Sequence, residues 1–169
     1  GTRIVFRSNR AGPNYPFEVS RTSGEAERRL LDTEITFPTD WSSDSKFILY
    51  HQSSAATGWD VMLLPLFGDR TPSPFAQSTG DQVGGRFSPN GRWIAYASDE
   101  SGRSEIYVKA FPLSGGGEIV SSNGGSEPRW GADGTALYYV DPDGHLTVVA
   151  VSATATFTTL AEDGGWRVA

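Results

Sequence analysis

The side chains best suited to chemistry are two histidines and a scatter of carboxylates and arginines. His51 and His145 are the only imidazoles among 169 residues, and no cysteine accompanies them. Glu34, Asp40, Asp81, Glu127 and Asp163 recur along the chain at intervals that suggest a repeated setting. Carboxylates grouped with an imidazole can hold a divalent metal, which activates water or polarises a phosphoryl or carbonyl group. Arg7, Arg86 and Arg129 offer ion pairing with Glu127 or Asp163, and secondarily anion binding. Trp59 is a loop tryptophan, a residue type favoured at binding hot spots. The chain contains no Gly-x-Ser-x-Gly elbow, no His-Glu-x-x-His, no phosphate-binding loop and no dinucleotide fingerprint.

Such residues act together only if the fold gathers them. Four stretches superpose: Thr2–Phe6 after Gly1, Lys46–Tyr50 after Ser45, Arg92–Tyr96 after Gly91, and Thr135–Tyr139 after Gly134. Their starts are 44, 46 and 43 residues apart. Repeats of this length with several short strands per unit mark a β-propeller blade. In each copy an aliphatic residue (Ile4, Ile48, Ile94, Leu137) stands two positions before an aromatic one (Phe6, Tyr50, Tyr96, Tyr139). A period of two places both columns on one buried strand face.

The third repeat sets the pattern. Gly85–Ser88 reads as a first strand, Pro89-Asn90-Gly91 as a tight turn, Arg92–Ala97 as the returning strand, and Glu105–Phe111 and Glu118–Ser121 as the third and fourth. By analogy, first strands are expected at Trp41–Asp44 and Trp130–Gly134. The first repeat begins at its second strand. The segment 164–169 is a candidate for its missing inner strand, since propellers often close by joining their termini. The expected blades are therefore 1–36 with 164–169, 37–80, 81–124 and 125–163. The fold class is all-β: a propeller of about four four-stranded antiparallel blades, either closed on itself or half of a larger ring shared by a dimer. Trp41, Phe87, Trp130 and Trp166 recur at one blade position and read as packing between blades.

The segment Phe87-Ser88-Pro89-Asn90-Gly91-Arg92-Trp93-Ile94-Ala95-Tyr96, with Gly102 and Ile106-Tyr107-Val108, resembles the TolB-type, WD-repeat-like propeller family. Trp41–Ser45 and Trp130–Gly134 are looser copies. Thr57-Gly58-Trp59-Asp60 and Glu127-Pro128-Arg129-Trp130 are similar to propellers that follow serine/threonine kinase domains in some bacteria. Relatives of this kind have six or more blades, so the resemblance implies a fragment. It also implies a bacterial, soluble setting, periplasmic or cytoplasmic.

Composition narrows the partners. A net charge of -6 disfavours nucleic acid, which needs a basic stripe. No apolar run is long enough for a membrane span. Strand polarity places the start of a blade's first strand, the end of its second and the loop into its third on one face. That face is expected to collect the five acids, with His51 and His145. Two functions follow. One is a non-enzymatic module that docks a protein or peptide through Trp59, Arg86, Arg129 and Glu127. The other is a metal-dependent hydrolase of phosphate or carboxylic esters, its divalent ion held by Asp40, His51, Glu127 and Asp163. His145, after Asp141-Pro142-Asp143-Gly144, reads most simply as a turn residue. Blades shaped for a wider ring leave apolar end faces, so a homodimer is expected.

Overall fold

The computed structural model describes residues 2–10, 12–33, 36–112, 116–153 and 156–167. They form β-strands and turns in four antiparallel sheets. The first holds β1 (Arg3–Ser8), β2 (Tyr15–Ser20) and β3 (Arg28–Arg29). The second holds β4 (Thr36–Trp41), β5 (Phe47–Ser54), β6 (Gly58–Pro65) and β7 (Ser73–Ala76). The third holds β8 (Gln82–Phe87), β9 (Trp93–Ser98), β10 (Glu105–Ala110) and β11 (Glu118–Ile119). The fourth holds β12 (Ser126–Trp130), β13 (Ala136–Val140), β14 (His145–Ala153) and β15 (Phe157–Arg167). Each sheet is a meander whose strands pair in chain order.

Alternation along the second strands builds the packing between sheets. Ile48 and Tyr50 face the first sheet and join Val5, Leu30 and Trp41. The intervening Leu49 faces the third sheet and packs with Val61, Phe87, Ile94 and Tyr96. Ala95, Ala97, Ile106 and Val108 of the third sheet meet Leu137, Tyr139 and Val149 of the fourth. Each sheet is thus buried on both faces where neighbours exist, and each large apolar side chain so covered contributes about 1.5–3 kcal/mol. The inner strands adjoin one another, β8 packing on β4 and β12. They line the axis about which the sheets are arranged.

Ile4 departs from its column. It is 46% exposed, whereas Ile94 and Leu137 are fully buried. It sits on the side of the first sheet away from the second, where no described sheet covers it. Tyr138 is likewise exposed on the fourth sheet's outer side. Among the described residues no packed interface joins the first sheet to the fourth, so the sheets form an open arc rather than a closed four-bladed ring.

The C-terminal segment also differs from expectation. Leu146 pairs with Trp166 and His145 with Arg167, so residues 164–167 extend the fourth sheet instead of completing the first. The β14–β15 hairpin offers a local ladder, interrupted by two register shifts, and pairing along it closes a far shorter loop than a return to β1. The side chain of Trp166 and the whole of Glu34 lie outside the described residues.

Two first strands, β4 and β12, end at Trp41 and Trp130, where they were expected to begin, while β8 starts three residues before the expected Gly85. Trp41, Phe87 and Trp130 are the last residues of β4, β8 and β12, and the turns start immediately after them. The cause is local hydrogen bonding. The Asp44 carboxylate accepts from the Lys46 amide and the Ser42 hydroxyl. Asn90 does the same for Arg92 and Ser88, and Asp133 accepts from the Thr135 amide. These side chains replace ladder partners and fix a turn. The residue after each adopts positive φ: Ser45 at 60°, Gly91 at 68° and Gly134 at 74°.

Candidate functional site at the inner strands

Each inner strand carries one extra residue just before its end. Register shifts between Pro38 and Asp40, between Val83 and Arg86, and between Ser126 and Arg129. Such bulges bend a strand and re-aim the next side chain. Gly84 takes φ 70° in the second of these, and Glu127 occupies φ 55° in the third. Beyond the bulges, Asp40 pairs with Leu49, Arg86 with Ala95 and Arg129 with Tyr138. Those partners each follow the aliphatic column by one residue. Asp40, Arg86 and Arg129 are therefore the same position in three successive blades.

These three line a cavity of about 340 Å³, together with Trp41, Trp130 and the turn residues Ser43, Pro89 and Ala132. It opens on the side of the hairpins that join first to second strands. The sequence reading placed Asp40 at the opposite mouth, because it began that first strand at Trp41, where β4 ends. Trp130 donates its indole N–H to the Arg86 carbonyl at 3.1 Å, tying the fourth sheet to the third.

Asp40 is occupied structurally. Its Oδ1 accepts from the Trp41 amide and its Oδ2 from the Phe87 amide, both at 2.8 Å. Arg129 pairs with Glu127 at 3.0 Å and donates to the Pro128 carbonyl at 2.8 Å. Arg86 forms no ion pair among the described residues, and its Nε is buried without a hydrogen-bond partner. Burial and the nearby Arg129 charge both hold its guanidinium below the usual arginine value, against the opposing pull of Asp40 and Glu127.

A second group lies towards the other mouth. Phe37, His51 and Trp59 pack their rings with centroids 4.9–5.4 Å apart. The Arg7 guanidinium lies 3.9 Å above the Phe37 ring. Trp59, expected in a loop, lies in β6 opposite Ser53 and has aromatic neighbours. His51 is pushed below the ordinary imidazole value, first by burial and then by Arg7 and Arg86, with Glu127 opposing. It is consequently neutral near pH 7, and its Nδ1 is buried and unpaired.

The four residues put forward as metal ligands do not converge. Among the described residues, the only His, Asp and Glu group with mutually close ligand atoms is Asp141, Asp143 and His145. That group is a turn: Asp141 accepts from the amides of Asp143 and His145 and contacts the His145 ring. Asp163 is exposed on β15 opposite Val148. Asp81 accepts from the Trp59 amide while its own amide donates to Asp99. Asp40 and Asp81 accept backbone N–H groups of a neighbouring blade, while Asp44, Asp133 and Asp141 accept those of their own turns, a demand that buried amides impose.

A TolB-assigned protein of Agrobacterium tumefaciens superposes with a TM-score of 0.76 at 19% identity, over 98% of this chain and 64% of that one. TolB of Acinetobacter baumannii gives 0.75 at 17% identity, over 94% and 40%. The fold is that of a TolB-type β-propeller. The periplasmic gluconolactonase of Pseudomonas aeruginosa also matches, with a TM-score of 0.57 at 15% identity over 99% and 54%. The chain thus spans less than two thirds of the length of these TolB structures. No protein-family model and no curated protein matches it. Among the described residues, no helix of this TolB-like arc is long and apolar enough to cross a membrane.

The equivalence of Asp40, Arg86 and Arg129 is what sequence reasoning missed. The signal was present: counting back two residues from Ser42, Ser88 and Gly131 lands on all three.

Proposed function

We propose that this TolB-like arc is a non-enzymatic binding module that receives a peptide segment of a partner protein at the hairpin-side mouth of its inner strands. The observation that carries this reading is the cavity built from one repeated position in three blades, walled by Trp41 and Trp130 and floored by charged side chains. Tryptophan and arginine beside a polar rim are the residue types that dominate protein interfaces. The alternative of ester hydrolysis requires a metal on Asp40, His51, Glu127 and Asp163. Asp40 is already committed to two backbone amides, which favours docking.

A steric plug tests the reading without altering charge. Ala132 is exposed at the rim, so Ala132→Trp should fill the mouth and leave the fold intact. Peptide-library capture by the wild type should be lost in this variant. Capture that survives the plug unchanged would refute docking at this mouth. We further propose that a second copy covers the apolar end faces marked by Ile4 and Tyr138. Light scattering should then give twice the chain mass, and a monomer at high concentration would refute it.

A further inference from the structure

We propose that Arg86 and Arg129, aimed by the bulges of β8 and β12, form a binding site for an oxyanion: a carboxylate or phosphoryl group carried by the ligand. The proposal rests on the docking reading above and specifies its chemistry. Two guanidinium groups at equivalent positions line one cavity. Neither is neutralised by a buried carboxylate. Asp40, the acid in the same wall, has both carboxylate oxygens engaged by backbone N–H groups and forms no ion pair with either arginine among the described residues. Glu127 holds Arg129 only through an ion pair between half-exposed or more exposed side chains. Such pairs are weak and exchange readily for a better acceptor.

Arg86 supplies the independent observation. Its Nε–H is shut away from solvent and from every acceptor. A buried unsatisfied donor is costly, and few persist without a role. A small rotation of the guanidinium towards the cavity would let Nε and one Nη bond the two oxygens of a single carboxylate or phosphoryl group. That edge-on fork is the geometry in which arginine recognises oxyanions best. Trp41 and Trp130 line the same cavity and offer apolar walls beside the guanidinium groups.

The test uses the whole chain with inorganic phosphate and acetate as separate probes, followed by the arginine Nε–H resonances and the backbone amides. Saturable shifts of the Arg86 Nε–H signal and of amides at 41–43, 87–88 and 130–132 support the proposal. Saturation by phosphate alone identifies a phosphoryl group, and by acetate alone a carboxylate. Arg129→Met, at an exposed position, should fold normally and weaken binding about tenfold. Glu127→Gln removes the competing carboxylate and should tighten binding about threefold, a gain that a structural role would not produce. Failure of both probes to saturate, or a Glu127→Gln variant that binds more weakly, overturns the proposal. Peptide capture that persists in that case, and is still lost in Ala132→Trp, leaves the docking reading standing alone.

Discussion

Replacing Glu105 offers the sharpest test of how the blades are fastened. The carboxylate is nearly fully buried at the start of β10. Its Oε2 accepts from the Ser121 hydroxyl, and from the Gly124 amide at 2.9 Å. Its Oε1 accepts from Arg103 at 2.5 Å. Ser121 in turn receives the Ile106 amide at 2.8 Å. The cluster therefore pins the 121–124 segment, which leads into the fourth sheet, onto the third. Truncation to alanine strands the Gly124 amide and the Ser121 hydroxyl, at about 1–3 kcal/mol each. The Arg103 side chain is more than half exposed and regains water, so its loss adds little. We expect Glu105→Ala to cost about 3–4 kcal/mol. Glu105→Gln, which keeps one acceptor oxygen, should cost about 1–2 kcal/mol.

The pH dependence of this contribution is fixed in sign. Burial alone would raise the Glu105 value, but the bonds from Ser121, Arg103 and Gly124 hold it below the ordinary carboxylate range. A depressed value stabilises the fold above the unfolded glutamate's pKa of about 4.3, and the benefit is lost as pH falls through the lower folded value. Urea unfolding at pH 7 and at successive steps down to pH 3 reads both effects. Wild type should lose more stability over this interval than Glu105→Gln. An alanine variant within about 0.5 kcal/mol of wild type at pH 7 would refute the argument, as would identical pH profiles for wild type and Glu105→Gln.

Three further substitutions test local readings by thermal or urea unfolding. Ser45 holds φ 60° where its equivalents are Gly91 and Gly134, so Ser45→Gly should raise stability by up to about 1 kcal/mol; a loss would mean the hydroxyl has a role the turn does not require. A Cβ on Gly125 would stand 2.7 Å from Ile106 Cγ1 and 2.8 Å from Tyr139 Cδ2, whereas one on Gly116 meets nothing within 4 Å. Gly125→Ala should therefore cost about 1–3 kcal/mol and Gly116→Ala nothing measurable, and equal effects would refute the packing. Ile94→Ala should cost about 2–5 kcal/mol and Ile4→Ala under 1, although both stand in one repeat column.

Much of the architecture was legible in the residues. The alternation of Ile48 with Tyr50, and of Leu137 with Tyr139, gave the buried column directly, because a strand's period of two leaves no other arrangement. The Pro89-Asn90-Gly91 turn was equally plain. What failed was phase along the inner strands. Trp41 and Trp130 looked like strand starts because bulky aromatics favour strands, yet the side-chain bonds of Asp44 and Asp133 had already begun the turns. That slip moved Asp40 to the wrong mouth. Bulges are invisible to a period-two reading, so the re-aiming of Arg86 could not be seen without the ladder register. The fate of Ile4 was hidden for another reason: a column shows which face is apolar, not whether a neighbour exists to cover it. The metal constellation does not assemble among the described residues, because charge counts do not reveal that the backbone claims Asp40, that Arg129 pairs with Glu127 and that Asp163 stays exposed on β15.

The central claim is that ligands dock where the bulged inner strands of successive blades meet the hairpin turns. An amide hydrogen-exchange footprint of a library-selected peptide on the intact chain tests it most directly. Protection should concentrate at Trp41–Ser43, Phe87–Ser88 and Trp130–Ala132, the walls of the cavity. Protection confined to the outer strands at Ser73–Ala76 and Glu118–Ile119, with those walls exchanging as before, would contradict it.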